Sequence, residues 1–223
     1  MNNMDVNQTV KDIKAQFRLY MNGIASQSMR EKGLGYKLNF GIELPRIKEI
    51  ANKYEKNHQL AQELWKENIR ECKVMATLLQ PVDSFYTEIA DIWMDDVQNS
   101  EIAELLCMNL LQNLPYASQK SFEWIASDRK YYQFCGYMVM ARLLMKGMVL
   151  NERAEAELLD QAIVSLQEDD MLIKRAASTV IKKFAHQNKD NAKKVNKFIA
   201  PLLKSAKDET ALAAEDIKLD IEY

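Results

Sequence analysis

Two groups of side chains in this sequence could do chemistry, and they carry opposite charge. The first lies in Glu168–Gln187. At helical spacing, Lys174, Arg175, Lys182 and Lys183 share one side, with the short residues Ser178 and Thr179 between them. Lysine supplies a mobile point charge and arginine a planar fork of donors, the two groups that best hold phosphate. Short residues between them let a phosphodiester backbone come close. Lys193 and Lys197, one turn apart further on, extend the same chemistry. The second group is Trp93-Met94-Asp95-Asp96-Val97-Gln98. A carboxylate beside an aromatic ring can stabilise a developing cation and place a water molecule. Each group also has a plainer reading: a solvated helix face for the lysines, and a capped helix junction for Asp95 and Asp96.

The charge distribution favours a functional reading of the first group. From Met171 to Lys207 there are ten basic residues and one acid, Asp190, leaving nine net positive charges on a chain whose formal charge is −2. Upstream, Asp83 to Asp128 holds nine acids against Lys120 alone. Such asymmetry makes a field that draws a polyanion to one end of the protein.

Other chemistries find little support. His58 and His186 stand alone, and no Cys or carboxylate cluster has metal-ligand spacing, so neither a metal nor a cofactor is expected. Gly33-x-Gly35 is followed by no Gly-Lys-Ser/Thr and is not a phosphate loop. Cys72, Cys107 and Cys135 sit in apolar helical patterns as reduced core thiols, which suits a cytoplasmic protein. Trp65 and Trp124 fall at core positions. Tyr131 and Tyr132, beside Arg129 and Lys130, suit either packing or a sugar-phosphate contact. No apolar run approaches the ~20 residues of a membrane span, so no membrane partner is expected.

The elements that must position these groups are helices. Only six Gly and four Pro in 223 residues, with twelve Met, disfavour a sandwich or a Gly-rich nucleotide fold. Asp169 and Asp170 stand where helix-capping acids belong. After them Ile173, Ala176, Ala177, Val180, Ile181 and Phe184 form one apolar stripe. Comparable patterns run from Asp5–Met21 to Asn191–Lys204, with Asn22–Lys37 read as a polar loop. Consecutive helices form antiparallel pairs. Asp128 and Asp170, 42 residues apart, each open the second helix of a pair. That spacing lies within the ~40–47 residues of HEAT repeats. The expected fold is an all-α, HEAT-like helical-repeat superhelix (an α-solenoid), with second helices lining a concave, basic inner surface. Residues 1–207 are expected to form a single HEAT-like domain and 208–223 a short acidic tail.

Three stretches carry a family resemblance. Gly41-Ile42-x-x-Pro45-x-Arg46, Leu64-Trp65 followed by Ile69-Arg70-Glu71, and Trp124-Ile125-Ala126-Ser127-Asp128 occur in the order and at about the separations seen in DNA alkylation-repair glycosylases of the AlkD type. The sequence resembles that family over roughly residues 1–205. The resemblance implies a HEAT-like array that cradles duplex DNA and excises cationic alkylated purines. In that chemistry a carboxylate steadies the cationic sugar, aromatic rings flank the site and a basic side chain holds phosphate.

At the positions that carry this chemistry the sequence departs from the family. Met94 falls at the family's first tryptophan, Gln98 at its catalytic aspartate, Phe134 near its arginine and Thr179 at its second tryptophan. Gln98 can hydrogen-bond but supplies no negative charge, and a slip of one register substitutes Val97 or Asn99. Asp95 and Asp96 remain as shifted carboxylates and Trp93 as an aromatic. Three readings follow. One is a DNA-binding member of the family that contacts the duplex phosphate backbone through Lys174, Arg175, Lys182, Lys183, Lys193 and Lys197, without base excision. The second is an active alkylpurine glycosylase using Asp95 or Asp96. The third is a HEAT-like scaffold for a protein partner.

Overall fold

The computed structural model describes residues 6–205 and 207–222. Asp5, the expected start of the first helix, lies outside them. Thirteen α-helices and no strand occur among the described residues, and the chain divides into two compact units, Met1–Leu114 and Pro115–Tyr223.

The first unit holds α1 (Val6–Leu19), α2 (Gly23–Glu31), α3 (Leu44–Ala51), α4 (His58–Lys66), α5 (Arg70–Leu79), α6 (Thr87–Asp95) and α7 (Ser100–Asn109). α5 is buried along almost its whole length, between α3, α4 and α7. α2 replaces part of the expected loop. Asn22 caps it by accepting the Ala25 amide at 3.1 Å. The helix escaped hydrophobic periodicity because Ser26 is its one fully buried side chain.

The stretch after α2 is docked by polar groups. Gly41 has φ +72, and a Cβ there would lie 2.2 Å from the Asn22 carbonyl oxygen, so only glycine fits. The Phe40 and Ile42 amides donate to the two carboxylate oxygens of Glu71, at 3.1 and 3.2 Å. Arg70 Nη1 donates to the Ile42 carbonyl at 2.7 Å and reaches Glu71 at 3.1 Å. Its Nε and Nη2 then clasp Glu101 at the start of α7, at 2.9 and 2.7 Å. Arg70 is 1% exposed and Glu71 0%. Two of the stretches that carry the family resemblance, around Gly41-Ile42 and Arg70-Glu71, are therefore one buried polar joint.

The second unit holds α8 (Ala117–Ile125), α9 (Lys130–Met145), α10 (Glu152–Leu166), α11 (Met171–Ala185), α12 (Lys189–Ile199) and α13 (Asp208–Glu222). The pairs are α8/α9, α10/α11 and α12/α13. The second helices α9, α11 and α13 pack side by side, while α10 packs on α12. This is HEAT-like stacking, in which each pair completes its core against the next. α9 approaches α8 so closely that a Cβ on Gly136 would lie 2.7 Å from the Ile125 amide nitrogen. Neighbouring second helices are tied near their N-terminal ends: Lys130 Nζ to Asp170 at 2.7 Å, and Lys207 Nζ to Asp169 at 3.2 Å. Arg70–Glu101 plays the same part in the first unit.

Residues 208–222, expected as a tail, form α13. Thr210, Ala214 and Ile217 are buried at helical spacing. Six acids in the helix and a thin apolar stripe concealed it from periodicity. It is the second helix of a third pair, opening 38 residues after Asp170.

Candidate nucleic-acid interface

α11 is built as its sequence dictates. Asp170 caps it, accepting the Leu172 amide at 2.8 Å. Lys130 beside this carboxyl, together with the amide bonds it accepts, holds it below the usual range against the opposing effect of burial. Ile173, Ala176, Ala177, Val180, Ile181 and Phe184 are buried as expected. The polar side divides by neighbour. Arg175 is exposed and Lys183 half-buried, and neither forms an ion pair among the described residues. Thr179, half-buried between them, donates its hydroxyl to the Arg175 carbonyl at 2.8 Å.

Lys174 and Lys182 are placed differently from the open phosphate contacts expected of them. Lys174 is 3% exposed and its Nζ meets Glu209 of α13 at 3.3 Å. Lys182 meets Asp216 at 2.7 Å and Asp220 at 3.9 Å. His186 Nε2 lies 2.7 Å from Asp220. The reason is tertiary: α13 packs along this edge of α11 and presents carboxylates to it. Lys193 and Lys197 are exposed, but on α12, in the layer of first helices, so they do not share a face with Arg175. Lys193 is 3.0 Å from Asp190, a surface pair worth little.

α9 contributes a cation that sequence reasoning missed. Lys130 pairs with Asp170, and Gln187 Nε2 donates to the Leu144 and Met148 carbonyls at 3.1 and 2.7 Å. These ties set α9 and α11 39 to 43 residues out of register, which brings Arg142 level with Ile181–Ala185. Arg142 is half-buried, and its Nε is buried with no hydrogen-bond partner among the described residues. The 42-residue spacing of Asp128 and Asp170 was the signal that could have found it. At the entrance of α9, Arg129 stacks on the Tyr132 ring at 4.2 Å.

The catalytic candidates of the first unit are dispersed. Trp93 is 0% exposed, stacked on Trp65 with ring centroids 4.1 Å apart, edge-on to Phe85, and donating Nε1 to Gln62 at 3.1 Å. It is core, not a surface for an extruded base. Met94 is 1% exposed. Asp95 ends α6 and Asp96 caps it, both exposed. Asp96 lies 3.8 Å from Lys73 Nζ, itself nearly buried over the Trp65 ring. Gln98 is exposed, and Asn99 caps α7 by accepting the Ile102 amide at 3.1 Å. In the second unit Phe134 is buried. Met94, Gln98, Phe134 and Thr179, the residues expected at the four catalytic-type positions, thus include no carboxylate, no exposed aromatic and no cation.

Cys72, Cys107 and Cys135 are buried thiols, and burial pushes the Cys72 thiol up. Among the described residues no group of His, Cys, Asp and Glu is arranged to hold a metal ion, and no helix is long and apolar enough to cross a membrane.

The family model described as DNA alkylation repair enzyme matches residues 13–217. A solved structure reported as a new family of proteins related to the HEAT-like repeat DNA glycosylases, with affinity for branched DNA structures, superposes with a TM-score of 0.78 at 16% identity. The match covers 95% of this chain and 93% of that one. An engineered protein is more loosely similar, with a TM-score of 0.43 at 14% identity over 81% of this chain and 86% of that one. No curated protein matches the chain significantly.

Proposed function

This chain belongs to the DNA alkylation repair enzyme family, and from that premise we propose that it binds the DNA phosphate backbone without excising alkylated bases through the family's carboxylate. The observation that carries the binding lies in the second-helix layer: Arg175 and Lys183 on α11, and Arg142 level with Lys183 on α9, form no ion pair among the described residues. Cations that already hold a carboxylate gain little from a phosphate, whereas an unpaired arginine gains a charge-assisted bond and releases counterions. Binding of this kind reads charge rather than base sequence.

The loss of excision rests on Gln98. An alkylated purine is already a good leaving group, so the enzyme's main contribution is negative charge beside the cationic sugar. A neutral amide lacks that charge, and Met94, Phe134 and Thr179 rebuild none of the aromatic and cationic surroundings. The structurally similar protein with affinity for branched DNA makes junctions the substrate to compare with plain duplex.

The test is binding of the whole chain to a duplex and to a four-way junction at two salt concentrations, with base release from methylated duplex followed alongside. Salt-sensitive binding without release is the expected result. Release abolished by Asp95→Asn or Asp96→Asn would mean a shifted catalytic carboxylate. Absence of binding to either DNA would leave a protein-interaction scaffold.

A further inference from the structure

We infer that α13 is a fixed acidic wall that ends the DNA-contacting surface at α11 and limits its affinity. The inference rests on reading α11 as a DNA-facing helix. On the edge of α11 turned toward α13 stand Lys174, Lys182 and His186, and α13 answers them with Glu209, Asp216 and Asp220 at one-for-one positions. Both series advance by two turns and then one, so two helices packed side by side meet along a ladder of opposite charge.

Accessibility is lopsided across this ladder. The Lys174 and Lys182 side chains are 4% and 19% exposed, while their partners Glu209 and Asp216 are 66% and 65% exposed. The ammonium groups sit behind, and the carboxylates stand at the mouth of the groove between the helices. A phosphate entering along this edge meets negative charge first, at separations well inside the ~8 Å screening length of physiological salt. Arg175 and Thr179 line the same groove, with Leu212 on the opposite wall. The open cationic surface therefore continues from Arg175 toward α9 and Arg142, not toward the C-terminus. α13 does not act as a lid, because Thr210, Ala214 and Ile217 anchor it in the core and Thr210 Oγ1 donates to the Leu166 carbonyl at 3.3 Å.

The test neutralises the wall while leaving the Lys174–Glu209 pair intact. Asp216→Asn/Asp220→Asn is compared with Glu215→Gln/Glu222→Gln, a control on the same helix with the same change in net charge, whose exposed acids form no ion pair with α11 among the described residues. Both variants are checked by circular dichroism and thermal melting, and binding to an undamaged duplex is titrated across salt. The wall variant should bind tighter by about tenfold at low salt and gain up to about two units of salt slope, the order expected when two more phosphate contacts open. The control should change by less than about threefold, since diffuse charge is screened. An equal gain in both variants reduces the effect to net charge and overturns the wall. An unchanged wall variant beside a wild type that binds overturns it while sparing the DNA-binding reading. Failure of every form to bind overturns that reading and the wall with it. Should the double variant melt early, Asp216→Asn alone, at an exposed pair, carries the same comparison.

Discussion

Glu71 holds the backbone of Ile42 from the first turn of α5, its carboxylate accepting that residue's amide at 3.2 Å. Arg70, beside it in sequence, takes the carbonyl of the same residue at 2.7 Å. The irregular stretch between α2 and α3 is thereby fixed to the most buried helix of the first unit, and Arg70 passes the tie on to Glu101. Stretches that resemble a glycosylase family thus serve architecture, and their presence says nothing about excision.

Stability should depend on this joint more than on any surface pair. Glu71→Gln leaves the Arg70 guanidinium with Glu101 alone and weakens both loop amide bonds. Breaking a buried pair from one side costs on the order of 3–5 kcal/mol. The urea midpoint of Glu71→Gln should fall accordingly, whereas Lys193→Ala, at an exposed pair, should leave it within ~0.5 kcal/mol of wild type. Equal midpoints would show that the joint does not hold the fold.

Binding and stability should separate along α11. Arg175→Ala and Lys183→Ala should each weaken binding to every sequence alike and lower the salt slope by about one. Lys174→Ala should instead lower the melting temperature and leave the slope unchanged, because its ammonium is spent on Glu209. A loss of slope in Lys174→Ala would return it to the interface.

Base release from methylated duplex should stay at the level of the protein-free control. Gln98→Asp should not restore it, since Met94, one turn earlier in the sequence, is no aromatic ring and is buried. Chromatography of the released base decides this, and release by wild type would move attention to Asp95 and Asp96.

Alkaline pH should destabilise the second unit through Tyr137. Burial pushes its hydroxyl up to about 12, with the Ser165 hydroxyl at 2.8 Å pulling the other way. The folded state therefore keeps a proton that the unfolded chain, with its ordinary value of 10.0, gives up. Stability is fully present below about 10 and declines as pH rises toward about 12. Denaturation at stepped pH should show that decline, and Tyr137→Phe should flatten it. Tyr36, also pushed up to about 12 by burial, should behave alike in the first unit.

Much of this protein was determined by sequence alone, because its signals are local. Helical spacing of Ile173, Ala176, Val180 and Phe184 needs only the 3.6-residue turn, and Asp170 caps α11 through an amide two residues away. That Gln98 can hydrogen-bond but carries no charge is likewise a matter of side-chain chemistry. The fate of each charge was not local. Lys174 and Arg175 are neighbours in sequence on one helix, yet one is buried against Glu209 and the other is open. Only the packing of α13, whose acids are 34 or 35 residues distant, separates them. Trp93 likewise became core because Trp65 and Phe85 close over it. Periodicity assigns a residue to a face of its own helix. Which neighbour that face meets is settled by how the pairs stack, and that contact decides whether a cation is left for phosphate.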